Sequence, residues 1–132
     1  MTPAEAAALP PAVLAYLGDA VYELFVREAL LAQGVASSRA LHRRATALVC
    51  APAQARMARA LAGEFTAEEA AVFRRGRNAH CGGVPAAATV AEYRLATGLE
   101  SLVGFLYLAG RIERLRGLLA KGLRCLGEEE GD

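Results

Sequence analysis

The sequence has no tryptophan, only four tyrosines and four phenylalanines, and a single lysine. So few large aromatics leave alanine and leucine to fill a core, a mixture that favours helices over strands. Cysteine is also scarce: Cys50, Cys81 and Cys125 are odd in number, widely spaced and free of any C-x-x-C pair. That pattern excludes a disulfide framework and reads as free thiols in a cytosolic protein. His42 and His80 are the only histidines, and His80 stands directly beside Cys81, poor spacing for joint zinc ligation. No uninterrupted apolar run approaches the roughly 20 residues of a membrane span. The opening residues, Met1-Thr-Pro-Ala-Glu5, lack the basic start and apolar stretch of a signal peptide. A P-loop, a dinucleotide glycine fingerprint and a Ser-His-Asp arrangement are missing as well.

What remains is 132 residues, 55% of them hydrophobic, which reads as one domain over 1–132 with enough chain to bury a core. The net charge of +1 argues neither for nor against nucleic acid. Its distribution says more: nine arginines between Arg39 and Arg94 face only four glutamates. Those charges suit either solvated helix faces or an anionic partner. The acidic tail, 127–132, is expected to be disordered.

Thr2-Pro-Ala-Glu5 has the form of a capping box with proline at the first helical position, so a short helix should open the chain. Pro10-Pro11 then starts a long helix expected to reach about Gln33 and stop at Gly34. Within it Leu14, Leu17, Val21 and Leu24 share one face, while Tyr16, Asp19, Glu23 and Arg27 share a narrower one. Ser37 or Ser38 can cap a third helix, Pro52 restarts a fourth that ends near Gly63, and Thr66-Ala-Glu-Glu69 caps a fifth through about Arg75. Glycines 76, 82 and 83 and Pro85 mark Arg74–Pro85 as a loop. Arg74, Arg75, Arg77, Asn78 and His80 in that stretch suit either phosphate gripping or an ordinary charged helix end. Thr89-Val-Ala-Glu92 and Thr97-Gly-Leu-Glu100 each resemble capping boxes, and a last amphipathic helix spans Ile112–Leu126. No segment shows strand alternation, and the expected fold class is all-α.

Two acids stand out. Asp19 lies in an apolar helix beside Gly18, and a mid-helix glycine costs about 1 kcal/mol relative to alanine, so it needs a reason. Glu100 is the sole acid between Tyr93 and Arg111, on a small-residue face with Thr97, Ser101 and Gly104. If Gly18 and Gly104 let the two helices cross closely, Asp19 and Glu100 meet, and such a pair suits a hard divalent cation such as Mg²⁺. The competing readings are a capping role for Glu100 and an arginine ion pair for Asp19.

The stretch Leu14-Ala-Tyr-Leu-Gly-Asp-Ala-Val-Tyr-Glu23 resembles the signature helix of ribonuclease III domains. Arg75-Gly-Arg-Asn-Ala79 and Tyr93-Arg-Leu-Ala-Thr-Gly-Leu-Glu-Ser-Leu-Val-Gly-Phe-Leu-Tyr-Leu108 continue the likeness in the same order. Together they are similar to the small bacterial branch called Mini-ribonuclease III, which has the catalytic domain without a separate double-stranded-RNA-binding domain. The likeness runs from about Leu14 to Leu119.

The resemblance implies a ribonuclease III-like helical endonuclease domain, a homodimer that hydrolyses double-stranded RNA with Mg²⁺ and leaves 5′-phosphate and 3′-hydroxyl ends. For the branch it implies maturation of large-subunit ribosomal RNA precursors in the cytoplasm, with a ribosomal protein as a candidate assistant. Asp19 matches the family's essential aspartate and Glu100 its metal-binding glutamate, while Glu23 and Thr97 are auxiliary candidates. Arg74, Arg75, Arg77, Asn78, His80 and Arg94 are the expected RNA contacts. The larger enzymes carry acids where this chain has Ala12, Ala15 and Thr97, and a glutamate where Arg56 falls; the losses at Ala15 and Thr97 are typical of the branch. His80-Cys81 replaces the family's usual Lys-Ser. The thinner acidic set keeps a second class of function open, a non-catalytic helical dimer that binds structured RNA or a protein.

Overall fold

The computed structural model describes residues 1–79 and 88–131, which form seven helices and one 3-10 turn, with no strand among the described residues. Helix α1 (Pro3–Ala7) opens on the expected capping box, Thr2 Oγ1 accepting from the Glu5 amide and Glu5 Oε1 from the Thr2 amide. Helix α2 (Pro11–Ala32) ends just ahead of Gly34, whose φ of +88° is the left-handed geometry that terminates a helix. Ser37 caps α3 (Ser38–Val49), and α4 (Ala51–Leu61) carries Pro52 in its first turn, where a missing N–H is no loss. After a 3-10 turn at Ala62–Glu64, capping boxes at Thr66 and Thr89 open α5 (Ala67–Asn78) and α6 (Val90–Leu108), and α7 (Ile112–Gly131) follows.

Helix α6 is the axis of the molecule. Residues 96–99 and 101–106 are all buried, because α2, α5 and α4 pack around it. A helix apolar on nearly every side has this as its stable place. Leu99, Leu102, Phe105 and Leu106 meet Leu14, Tyr22, Met57 and Leu115 in one core. Burying each such side chain stabilises the fold by about 1.5–3 kcal/mol.

Several expectations change. Helix α5 does not give way to a loop at Arg74; it continues to Asn78, so Arg74, Arg75, Arg77 and Asn78 stand on its last turns. Gly76 is buried there because a Cβ would run into Ser101 and the Gly98 backbone of α6, so this glycine is a packing residue and not a turn residue. His80 and the remainder of that stretch, through residue 87, lie outside the described residues. Thr97 opens no helix: it sits mid-α6 and donates to the Tyr93 carbonyl at 3.0 Å, one turn back. Leu24 is half-exposed, and the buried side of α2 runs instead through Leu14, Gly18, Val21, Tyr22 and Phe25. The backbone of α7 stays helical past Leu126 to Gly131.

Candidate active site

The site begins as a backbone contact. A Cβ on Gly18 would overlap the carbonyl oxygen of Glu100, and one on Gly104 would overlap the carbonyl oxygen of Leu14. Each helix thus uses a glycine to seat the other's backbone, and α2 and α6 cross with no side chain between them. Asp19 follows Gly18 directly, and Glu100 is the residue whose carbonyl rests on Gly18. The crossing therefore sets the two carboxyl groups within hydrogen-bonding reach of each other. Asp19 is exposed, whereas Glu100 is only partly so.

The electrostatics follow from that placement. Burial first, then the hydrogen bond and the charge of Asp19, push the Glu100 carboxyl up to about 8. The charge of Asp19 thus disfavours a second negative charge on Glu100 beside it. A divalent cation is the kind of charge that reverses this balance. The donor set fits Mg²⁺, which needs only one or two carboxylates because water and substrate phosphate complete its shell. It does not fit a closed zinc site, since no three His, Cys, Asp or Glu residues converge among the described residues.

The auxiliary candidates are otherwise engaged. Glu23, one turn beyond Asp19, pairs with Arg27 at 2.9 Å. Thr97 is buried, with its hydroxyl proton given to the Tyr93 carbonyl. Sequence reasoning passed over Gln54, on α4, whose amide stands beside Glu100 and favours its charged form. The signal was its period: Gln54 shares a face with Ala58 and Leu61, which points inward. Tyr22 is also near; burial first, then Cys50 and Glu100, hold its phenol above the usual range, and it donates to the Leu48 carbonyl at 2.7 Å.

The basic candidates divide. Arg74 and Asn78 line a shallow, open groove with Pro11, Ala71 and Ala79, beside the N-terminus of α2. Asp19 is eight residues further along that helix, roughly 12 Å away at 1.5 Å per residue. Arg75 borders the same groove but donates to the carbonyls of Ala7 and Leu9 at 2.6 and 3.3 Å, tying α5 to the end of α1. Arg77 donates from Nε to Asn78 Oδ1 at 3.2 Å. Arg94 is exposed near the start of α6.

A family model described as "Ribonuclease III domain" matches residues 12–111. "Mini-ribonuclease 3" of Symbiobacterium thermophilum is 53% identical over 111 residues, 84% of this chain and 85% of that protein. "Mini-ribonuclease 3" of Enterococcus faecalis is 45% identical over 117 residues, 87% and 89% of the two chains. An X-ray crystal structure of a Fusobacterium nucleatum protein superposes with a TM-score of 0.80 at 28% identity, covering 92% of this chain and 95% of that one.

Proposed function

This chain belongs to the ribonuclease III domain family and is an endoribonuclease of that type, and from there we propose that it cuts double-stranded RNA at Asp19 and Glu100 with Mg²⁺. The reading takes residues 1–132 as one catalytic domain. The observation that carries it is the meeting of these two carboxyl groups at the glycine-on-backbone crossing of α2 and α6. They stand at the positions where the resemblance puts the family's essential acids.

Asp19 and Glu100 would hold the cation. When bound, it supplies Lewis-acid polarisation of the scissile phosphate and a stronger water nucleophile. The residues do the rest. Arg74, with Arg77 and Arg94, binds phosphates of the duplex, and the groove beside Pro11 orients a strand toward Asp19. A-form RNA offers its backbone and 2′-hydroxyls across a shallow minor groove, so such recognition reads shape more than sequence. In-line attack at phosphorus expels the 3′ oxygen and leaves 5′-phosphate and 3′-hydroxyl ends.

Assembly supports two cuts. Helix α2 leaves Val13, Tyr16, Leu24 and Leu31 exposed at 49, 85, 50 and 59%. Such an apolar stripe suits a symmetric homodimer, which would place one acidic pair on each strand. No described helix is long and apolar enough to cross a membrane. We assign the enzyme to the cytoplasm, its substrate to large-subunit ribosomal RNA precursors, and assistance in presenting the stem to a ribosomal protein.

The test incubates the full chain with a paired RNA duplex, a single-stranded control and a ribosomal precursor stem, with Mg²⁺ or with EDTA. Cutting of paired RNA in Mg²⁺ alone is expected, most efficient on the precursor stem. Cutting that persists in EDTA, or that prefers the single strand, would overturn the reading.

A further inference from the structure

Gln54 is buried, with 2% of its surface exposed, and its Nε2 has no hydrogen-bond partner of normal geometry among the described residues. Its chain neighbours Ala53 and Ala55 are fully buried, and the face it shares with Ala58 and Leu61 is core. A buried amide nitrogen left unpaired carries a desolvation cost that an apolar residue of the same size would avoid, so a glutamine here needs another reason. Helix α4 packs against α6, and the acceptor beside the amide is the Glu100 carboxylate.

We propose that Gln54 is a positioning residue for the acidic pair: its amide, unpaired here, takes one carboxylate oxygen of Glu100 when a divalent cation draws the other toward Asp19. This rests on Glu100 being a metal ligand. A glutamate side chain has several rotamers, and a ligand free to sample them binds a cation less well than one held by a donor behind it. An amide suits the task better than an arginine or lysine would. It fixes direction without cancelling the negative charge that attracts the cation. Coming from α4, it approaches Glu100 from a helix other than the one that carries Asp19.

The test measures Mn²⁺ binding to the full chain by calorimetric titration without RNA. It compares the unsubstituted protein with Gln54→Leu, Gln54→Met, Glu100→Gln and the Gln54→Leu/Glu100→Gln double variant. Two apolar replacements are used so that a folding failure of one leaves the other to be read. We expect Gln54→Leu to keep its thermal midpoint or raise it, since an unpaired buried group is removed. Its Mn²⁺ affinity should nevertheless fall about tenfold. In the Glu100→Gln background the same replacement should weaken Mn²⁺ no further, which a merely structural role would not produce. If Glu100→Gln weakens Mn²⁺ but both Gln54 variants bind like the unsubstituted chain, the positioning role is wrong and the ligand reading survives. If Glu100→Gln leaves Mn²⁺ binding intact, both are overturned. A Gln54→Leu loss that persists undiminished in the double variant also overturns the proposal, because Gln54 would then act elsewhere.

Discussion

Glu69 shows what a single side chain contributes to this fold. Only 2% exposed, it accepts from Arg114 Nε and Nη2 at 2.9 and 2.8 Å and from the Thr66 amide at 2.9 Å. Arg114 also donates to the Glu64 carbonyl, so one pair joins α7, the turn after α4 and the start of α5. The Arg114 hydrogen bond, first, and then the Thr66 amide hold the Glu69 carboxyl below its ordinary value of 4.5, against the opposing pull of burial. A lowered folded pKa means stability that is present above the unfolded value and lost as pH falls through the folded one. Glu69→Gln, which keeps the cap and the shape, should therefore cost about 1–2 kcal/mol at pH 7, discounted for the half-exposed arginine. The deficit should shrink in acid, below pH 4.5. Urea melts at pH 7 and pH 3 check this, and an equal deficit at both values would show that the charge is not what matters.

At the same scale, the acids were the most legible residues. Asp19 and Glu100 stood out because a carboxylate in an apolar helix asks for a reason, although the burial cost falls on Glu100 and not on the exposed Asp19. Thr97 misled because Thr-x-x-Glu has the same spelling in mid-helix as at a start. With α6 already begun at Val90, the Thr97 hydroxyl bonds back to Tyr93. Gln54 went unread because what makes it unusual, a buried amide beside Glu100, depends on how α4 docks on α6.

At the scale of elements, the glycines decide the geometry. Gly18 and Gly104 each face backbone of the opposing helix, which cannot swing aside as a side chain can. Gly18→Ala or Gly104→Ala must push α2 and α6 apart, so each should cost about 3 kcal/mol or more and separate the acidic pair. Gly117→Ala is the control: it lies on the exposed face of α7 with open space around it and should stabilise by up to about 1 kcal/mol. Thermal unfolding of the three variants would test this, and a Gly18→Ala protein as stable as its parent would contradict the crossing. Element order and most caps were legible, since capping boxes and prolines are local signals. The end of α5 was not. Gly76 reads locally as a helix breaker, and only its contact with Ser101 and Gly98 explains a helix that runs on to Asn78.

At the scale of the whole molecule, the proposed substrate sets a demand that one acidic pair would not meet: a duplex has two strands. The exposed stripe on α2, with Tyr16 at 85% and Leu31 at 59%, is where a second copy would join. Sedimentation should find the unsubstituted chain as a dimer and Leu24→Glu as a folded monomer. That monomer should cut paired RNA at a much reduced rate. A monomeric parent that cuts both strands at full rate would remove the need for the pairing.

The most direct test of the central claim is single-turnover cleavage of paired RNA by the parent chain, Asp19→Asn and Glu100→Gln in saturating Mg²⁺. Helical content and RNA binding are measured on the same samples. Loss of one carboxylate from the pair should remove several kcal/mol of transition-state stabilisation, a rate loss of about a thousandfold or more. The account expects both variants to stay folded, to keep binding the duplex and to lose cleavage. Cleavage within about tenfold of the parent in either folded variant would mean that the chemistry lies elsewhere.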